Sequence, residues 1–235
     1  MHTRSIRPEL WQARCALLAI IALQFSVQGI IKMPPGRIWL LAAAEIVLLL
    51  SLTVSSERHL RHMHAGGDVT SQFLGHHGGF SRVLALLLIG LVTIVNSIGL
   101  ASLIVALLTA SKETGFALLA DAVNLFITNV IIFGLWYWEI DRGGPFKRAC
   151  THPSAPDFLF PQMSLGEGER AAIAATNWRP NPIDYLFLAF TNATAFSPTD
   201  TLPLTAKAKI SMMLQAAVSL MTIAIVAARA VNILG

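Results

Sequence analysis

Long apolar runs separated by short polar breaks dominate the chain: Cys15–Ile31, Ile38–Val54, Val83–Ala110, Phe116–Tyr137 and a last run from Thr205 onward. At about 1.5 Å of helix rise per residue, each crosses most or all of a hydrocarbon core about 30 Å thick. The pattern predicts spans over residues 14–31, 37–54, 82–110, 116–138 and 205–233. Pro34-Pro35 breaks the chain after the first run, and Ser111–Gly115 forms a short turn after the third. The first run follows Arg4, Arg7 and Arg14 as in a signal sequence, but it ends FSVQGIIKM without a small-residue cleavage site, so it reads as an uncleaved span. Between the fourth and fifth runs lies a short apolar segment, Ile183–Phe196, of about fourteen residues, too few to cross a core of that thickness. It is followed at once by Ser197-Pro198-Thr199-Asp200-Thr201. A segment that enters and turns back satisfies its backbone only if it is buried in protein or lines water.

Residues 184–200, DYLFLAFTNATAFSPTD, resemble without a gap the pore helix and selectivity filter of potassium channels, and the similarity continues through Leu202-Pro203-Leu204-Thr205. The resemblance implies a pore helix, a filter and a lining helix. It covers about a fifth of the chain and departs from the family at the filter. Ser197 and Thr199 stand where that family has glycines, and Pro198 stands where it has an aromatic residue. Glycine reaches the backbone angles of stacked carbonyl rings at little cost, whereas proline fixes φ and removes a donor, so potassium selectivity is not expected. Side chains remain as pore-loop candidates: Thr194, Ser197, Pro198, Thr199, Asp200 and Thr201. The same segment is similar to the C-terminal end of an uncharacterised family of multi-spanning bacterial membrane proteins, which implies no activity.

Composition sharpens the class. The chain of 235 residues is 54% hydrophobic and 13% charged with a mean hydropathy of +0.63, against about 25% charged residues in soluble domains. This is the composition of an integral membrane protein. The net charge of +4 comes without a basic tract, so no nucleic-acid partner is expected and the excess is assigned to topology. With the N-terminus inside, only Lys32, Arg37, Lys112 and Arg229 of the 17 basic residues fall outside. That bias places the loop after Pro182 on the inner side, whereas a potassium channel has its filter on the outer side. Cys15 and Cys150 lie far apart in sequence and imply no disulfide or metal thiolate site.

Polar residues inside the apolar runs are the remaining candidates: Glu45, Asn96, Asp121 and Gln215. A charged Glu45 would cost several kcal/mol at the middle of a span unless paired or protonated, with Gln24, Gln28 and Asn96 available as partners. The string GFALLADAVNLFITN is faintly similar to the second helix of cation diffusion facilitators. Only Asp121 stands in a ligand-like place there, since Leu125 occupies the position four residues on. Five histidines, His59, His62, His64, His76 and His77, crowd the connection 55–81, which reads as a solvated His/Gly-rich loop. Trp136-Tyr137-Trp138 reads as an aromatic belt at a membrane boundary. In the polar stretch after it, Ser164 and Glu167 fit a capping box opening a short helix to about residue 176.

The expectation is an all-α integral membrane protein: five transmembrane helices plus a short re-entrant pore-type helix. It divides into a four-helix region 1–140, a polar connection 141–181 and a pore-loop module 182–235. No pairing of nucleophile and base, phosphate loop or metal pattern is visible, so neither enzyme activity nor a cofactor is expected. The expected function is channel-like or transport-related in the cell membrane, of the bacterial inner-membrane kind. The partners are the lipid bilayer, a monovalent cation and further copies of the chain, a tetramer if channel-like. A non-conducting membrane scaffold is the alternative.

Overall fold

A computed structural model describes residues 7–26, 35–64, 71–108, 115–148, 155–172, 178–194 and 200–234. Its long helices are α1 (Arg7–Ser26), α2 (Pro35–His64), α3 (Ser71–Leu108) and α4 (Gly115–Ile140). A tight turn at Asp141–Gly143 leads to α5 (Pro145–Arg148), strand β1 (Phe158–Leu159), and the short helices α6 (Pro161–Ser164) and α7 (Glu167–Ala172). The chain closes with α8 (Pro182–Thr194), strand β2 (Leu202–Pro203) and α9 (Ala206–Leu234). Among the described residues the regular structure is helical apart from one antiparallel pair of two-residue strands, in which Phe158 faces Pro203 and Leu159 faces Leu202.

Among the described residues, four stretches are long and apolar enough to cross a membrane: Leu40–Arg58, Gly79–Ala106, Phe116–Gly143 and Ala206–Ala227. The chain is therefore a helical protein of multi-pass membrane type. The first of the five expected spans, 14–31, is not among them: residues 27–31 lie outside the described residues, and the described part belongs to α1, which carries Arg14 at the start of that span. Apolar side chains cover the surface of these stretches, with Leu40 and Met213 each 70% exposed, the reverse of a soluble fold and suited to a hydrocarbon solvent.

Helix α4 is the central element, touching α1, α3, α8 and α9. Its Leu125, Ile132, Phe133, Leu135, Tyr137 and Trp138 are all buried. The expected aromatic belt is thus corrected: Tyr137 is fully buried and Trp138 nearly so, because protein surrounds α4 at the level where the sequence suggests lipid headgroups. Trp136 instead donates from Nε1 to Thr93 Oγ1 of α3 at 3.0 Å. Polar bonds tie the other helices together. Ser55 and Ser81 join α2 to α3 at 2.7 Å, Asn124 donates to the Leu23 carbonyl of α1 at 3.1 Å, and Asn129 donates to Ser219 of α9 at 3.0 Å.

The His-rich connection is corrected as well. Helix α2 continues to His64 and α3 begins at Ser71, so His59, His62, His64, His76 and His77 stand on helical extensions rather than in a loop. In α7 the expected cap shifts by two residues: the helix starts at Glu167, and Glu169 Oε2 accepts from the Gly166 N–H at 2.9 Å. The expected end near residue 176 lies outside the described residues.

Candidate functional site

The start of α8 is written locally. Asn181 caps it, its side-chain oxygen accepting from the Ile183 N–H at 2.9 Å, while Asp184 Oδ2 accepts from the Asn181 N–H at 2.7 Å. Pro182 occupies the first helical position, where its missing donor costs nothing. Burial pushes the Asp184 carboxyl above its ordinary value, against the opposing hydrogen bond from the Asn181 N–H. Tyr185, Leu188, Ala189 and Ala193 turn inward at helical spacing. The outward residues, Ile183, Leu186, Phe187 and Phe190, are apolar too, and a helix apolar all round is buried or in lipid. Close approach to α4 requires Gly134: a Cβ there would stand 3.1 Å from the Leu186 Cα.

Both ends of the 182–205 segment are tied to one polar platform at the C-terminal end of α4. At its start, the Tyr185 hydroxyl donates to Asp141 Oδ2 at 2.6 Å. At its end, the Leu204 N–H donates to the Asp157 carbonyl at 2.8 Å and Thr205 Oγ1 donates to Asp157 Oδ1 at 2.7 Å. The two aspartates are themselves linked, since Asp141 Oδ1 accepts from the Asp157 N–H at 2.8 Å. Asp157 Oδ2 accepts from the Arg142 N–H at 2.9 Å and pairs with Lys207 Nζ at 2.9 Å. That N–H bond holds Arg142 in the left-handed region, at φ 51°. Burial pushes the Asp157 carboxyl up, but the Thr205, Lys207 and Arg142 donors outweigh it and hold the group below the ordinary aspartate value.

Arg148 completes the platform. Its Nη1 donates to the Asp141 carbonyl at 2.9 Å and to the Trp138 carbonyl, and its guanidinium lies over the rings of Trp138 and Tyr185 at 5.5 and 5.3 Å. Phe158 packs between Tyr137 and Tyr185, with ring centroids at 5.2 and 6.4 Å. Most of the donors and acceptors here are bonded to backbone and to one another, so the arrangement clamps chain segments together.

Deeper in, a second network holds the body of α8. Gln215 of α9 is fully buried. Its Oε1 accepts from the Tyr137 hydroxyl at 2.5 Å and from Asn192 Nδ2 at 2.8 Å, while its Nε2 donates to the Ala189 carbonyl at 2.8 Å. Asn192 also donates to the Met212 carbonyl at 3.0 Å. The intramembrane candidate Gln215 therefore joins α4, α8 and α9 at one point.

The other sequence candidates are dispersed. Glu45 is buried, and the Gln24 amide of α1, with its nitrogen toward the carboxyl, donates to both oxygens at 2.9 and 3.1 Å. Asn96 is buried with no partner for its Oδ1 among the described residues. Asp121 is half-buried on α4. Of the pore-loop candidates, the Thr194 hydroxyl donates back to the Phe190 carbonyl at 3.1 Å within α8, Asp200 is exposed and Thr201 is buried. Ser197, Pro198 and Thr199 lie outside the described residues. Sequence reasoning missed Asp141, Asp157, Arg148 and Tyr185. The clue available was an Asp-Arg-Gly-Gly turn directly after a long apolar helix.

Compared with protein-family models, curated proteins and solved structures, the chain matches none.

Proposed function

We propose that the chain is a channel-like or transport-related protein of the cell membrane, with a re-entrant segment 182–204 and α9 as its working part. One observation carries the reading: a 13-residue helix, about 20 Å long, whose two flanks are bonded to the same Asp141/Asp157 platform. A segment fixed in this way enters and leaves on one side. In this reading α1 is a fifth span. It runs antiparallel to α2, bonded near one end through Arg14 to Glu57 at 3.1 Å and near the other through Gln24 to Glu45 at 2.9 Å. The bias of basic residues then assigns the platform to the inner side, so the loop enters from inside, inverted relative to a potassium channel.

The outward face of α8 supports assembly. Ile183, Leu186, Phe187 and Phe190 meet Phe126 and Val130 of α4 around a wholly apolar recess of about 490 Å³, a seat for lipid or a neighbouring copy. A central loop shared by four copies would offer Thr194 and Asp200 to a monovalent cation. A second reading, a non-conducting scaffold, is favoured by α9, whose Gln215 and Ser219 turn inward while Met213, Leu214, Leu220 and Met221 form the exposed face. Flux of potassium and sodium from vesicles containing the purified chain separates the two. The channel reading expects flux that Asp200→Asn abolishes at an unchanged melting temperature. Flux no greater than from empty vesicles leaves the scaffold.

A further inference from the structure

Glu45 of α2 takes part in neither the Asp141/Asp157 platform nor the Gln215 network. It is only 2% exposed and lies in the apolar stretch Leu40–Arg58. Among the described residues its hydrogen-bond partner is the Gln24 amide of α1, which reaches both carboxyl oxygens, at 2.9 and 3.1 Å, and no ion pair among those residues includes it. Charges are remote on the elements around it. Helix α2 packs chiefly on α3 and α1. On α1 the nearest titratable side chains are Cys15 and Arg14, about 14 and 15 Å along the helix from Gln24, and Arg14 is committed to Glu57 and Ser56. Beyond Arg82, α3 carries none to its end at Leu108, and Arg82 follows Ser81, whose partner Ser55 stands about 15 Å along α2 from Glu45. On α2 itself Arg37 and Glu57 are about 12 and 18 Å away along the helix. Asp121 of α4, one turn from the Asn124 that bonds the Leu23 carbonyl, lies at a similar depth, and as a second carboxyl it supplies no countercharge.

A carboxylate held in an apolar layer by an amide alone is costly, whereas the neutral acid needs only an acceptor for its O–H. An amide carries both functions. With its nitrogen toward the carboxyl, Gln24 donates to a carboxylate; turned about its last torsion, it accepts from the acid's O–H, and α1 need not move. We infer that Glu45 is a proton-binding site inside the membrane, its ligand a single proton taken up as the carboxyl O–H, with Gln24 as the positioning residue whose amide turns to match either state. Proton binding here does not depend on conduction by the 182–204 segment.

Infrared spectra of the purified full chain in lipid, recorded from about pH 5 to about pH 10, test this, because a protonated carboxyl has a carbonyl stretch of its own. At about pH 7, where an ordinary glutamate titrating near about 4.3 is ionised, subtracting the Glu45→Gln spectrum from that of the parent should leave one carboxylic-acid band. That band should move down in D2O, persist in Asp121→Asn, and fade as the pH rises over the width of a one-proton titration. Gln24→Leu should move it to higher frequency, the mark of an acid that has lost its acceptor, which a mere packing role for Gln24 would not produce. Glu45→Gln has the shape of the neutral acid and should keep the melting temperature of the parent; should it not fold, the shift in Gln24→Leu still assigns the band. No acid band in the difference spectrum, a band lost in Asp121→Asn instead, or one that neither exchanges in D2O nor changes up to about pH 10 would overturn the assignment.

Discussion

Replacing Gln215 by Leu removes the side chain that joins α4, α8 and α9, and the cost follows from what each partner retains. Three hydrogen bonds are lost, to the Tyr137 hydroxyl, Asn192 Nδ2 and the Ala189 carbonyl. Asn192 keeps its bond to the Met212 carbonyl, and the Ala189 carbonyl remains inside α8. Only the Tyr137 hydroxyl proton is stranded. Side-chain bonds between membrane helices average about 0.6 kcal/mol, which gives about 2 kcal/mol for three, a change of about 30-fold in the unfolding constant. Stranding three groups at soluble-protein values of about 1–3 kcal/mol each would give far more, and it does not apply because two of the groups retain partners. Tyr137→Phe alone removes the bond to Gln215 and a longer one, 3.3 Å, that the hydroxyl accepts from Asn192 Nδ2, and should cost about 1 kcal/mol; in the Gln215→Leu background it should cost clearly less, since there it also deletes the stranded donor. Unfolding in mixed detergent followed by tryptophan fluorescence measures all four proteins. A Gln215→Leu protein within about 0.5 kcal/mol of the parent, or strictly additive single changes, would refute the reasoning.

The platform should respond to acid. The folded-state value of Asp157 is lowered, so its contribution is present above the ordinary aspartate value of about 3.9 and is lost as pH falls through the lower folded value. The melting temperature of the parent should therefore drop as pH falls below about 4, and that of Asp157→Asn, lower at neutral pH, should drop less over the same range. Gly134→Ala brings a methyl group to 3.1 Å from the Leu186 Cα and should cost about 1 kcal/mol, whereas Gly134→Leu should dislodge α8 and expose 182–194 to protease. A Gly134→Leu protein as protease-resistant as the parent would contradict the packing of α8 on α4.

The long helices and the short apolar α8 were legible because hydropathy and length act locally, and so short an apolar segment cannot span a bilayer. Gln215 and Glu45 were legible as costly polar groups in apolar runs, and Gln24 was among the partners available to Glu45, whereas nothing local pointed Gln215 to Tyr137, Asn192 or Ala189. The platform was not legible, because Asp141 meets Tyr185 across 44 residues and Asp157 meets Thr205 across 48, and nothing local in either sequence announces the pairing. Tyr137 and Trp138 misled because an aromatic cluster ending an apolar helix reads the same whether lipid or protein covers it. The histidines misled because loop-like composition is compatible with an extension of α2 or α3 beyond the apolar stretch.

The central claim, that the chain enters and leaves the 182–204 segment on one side, meets its most direct test in thiol labelling. Single cysteines at the exposed positions Glu169, before α8, and Leu204, after it, in a protein lacking Cys15 and Cys150, can be probed in intact and inverted membrane vesicles with an impermeant reagent. The account predicts that both cysteines react from the same side, the side bearing the platform. Reaction of Glu169→Cys from one side and Leu204→Cys from the other would make the segment a crossing and contradict the account.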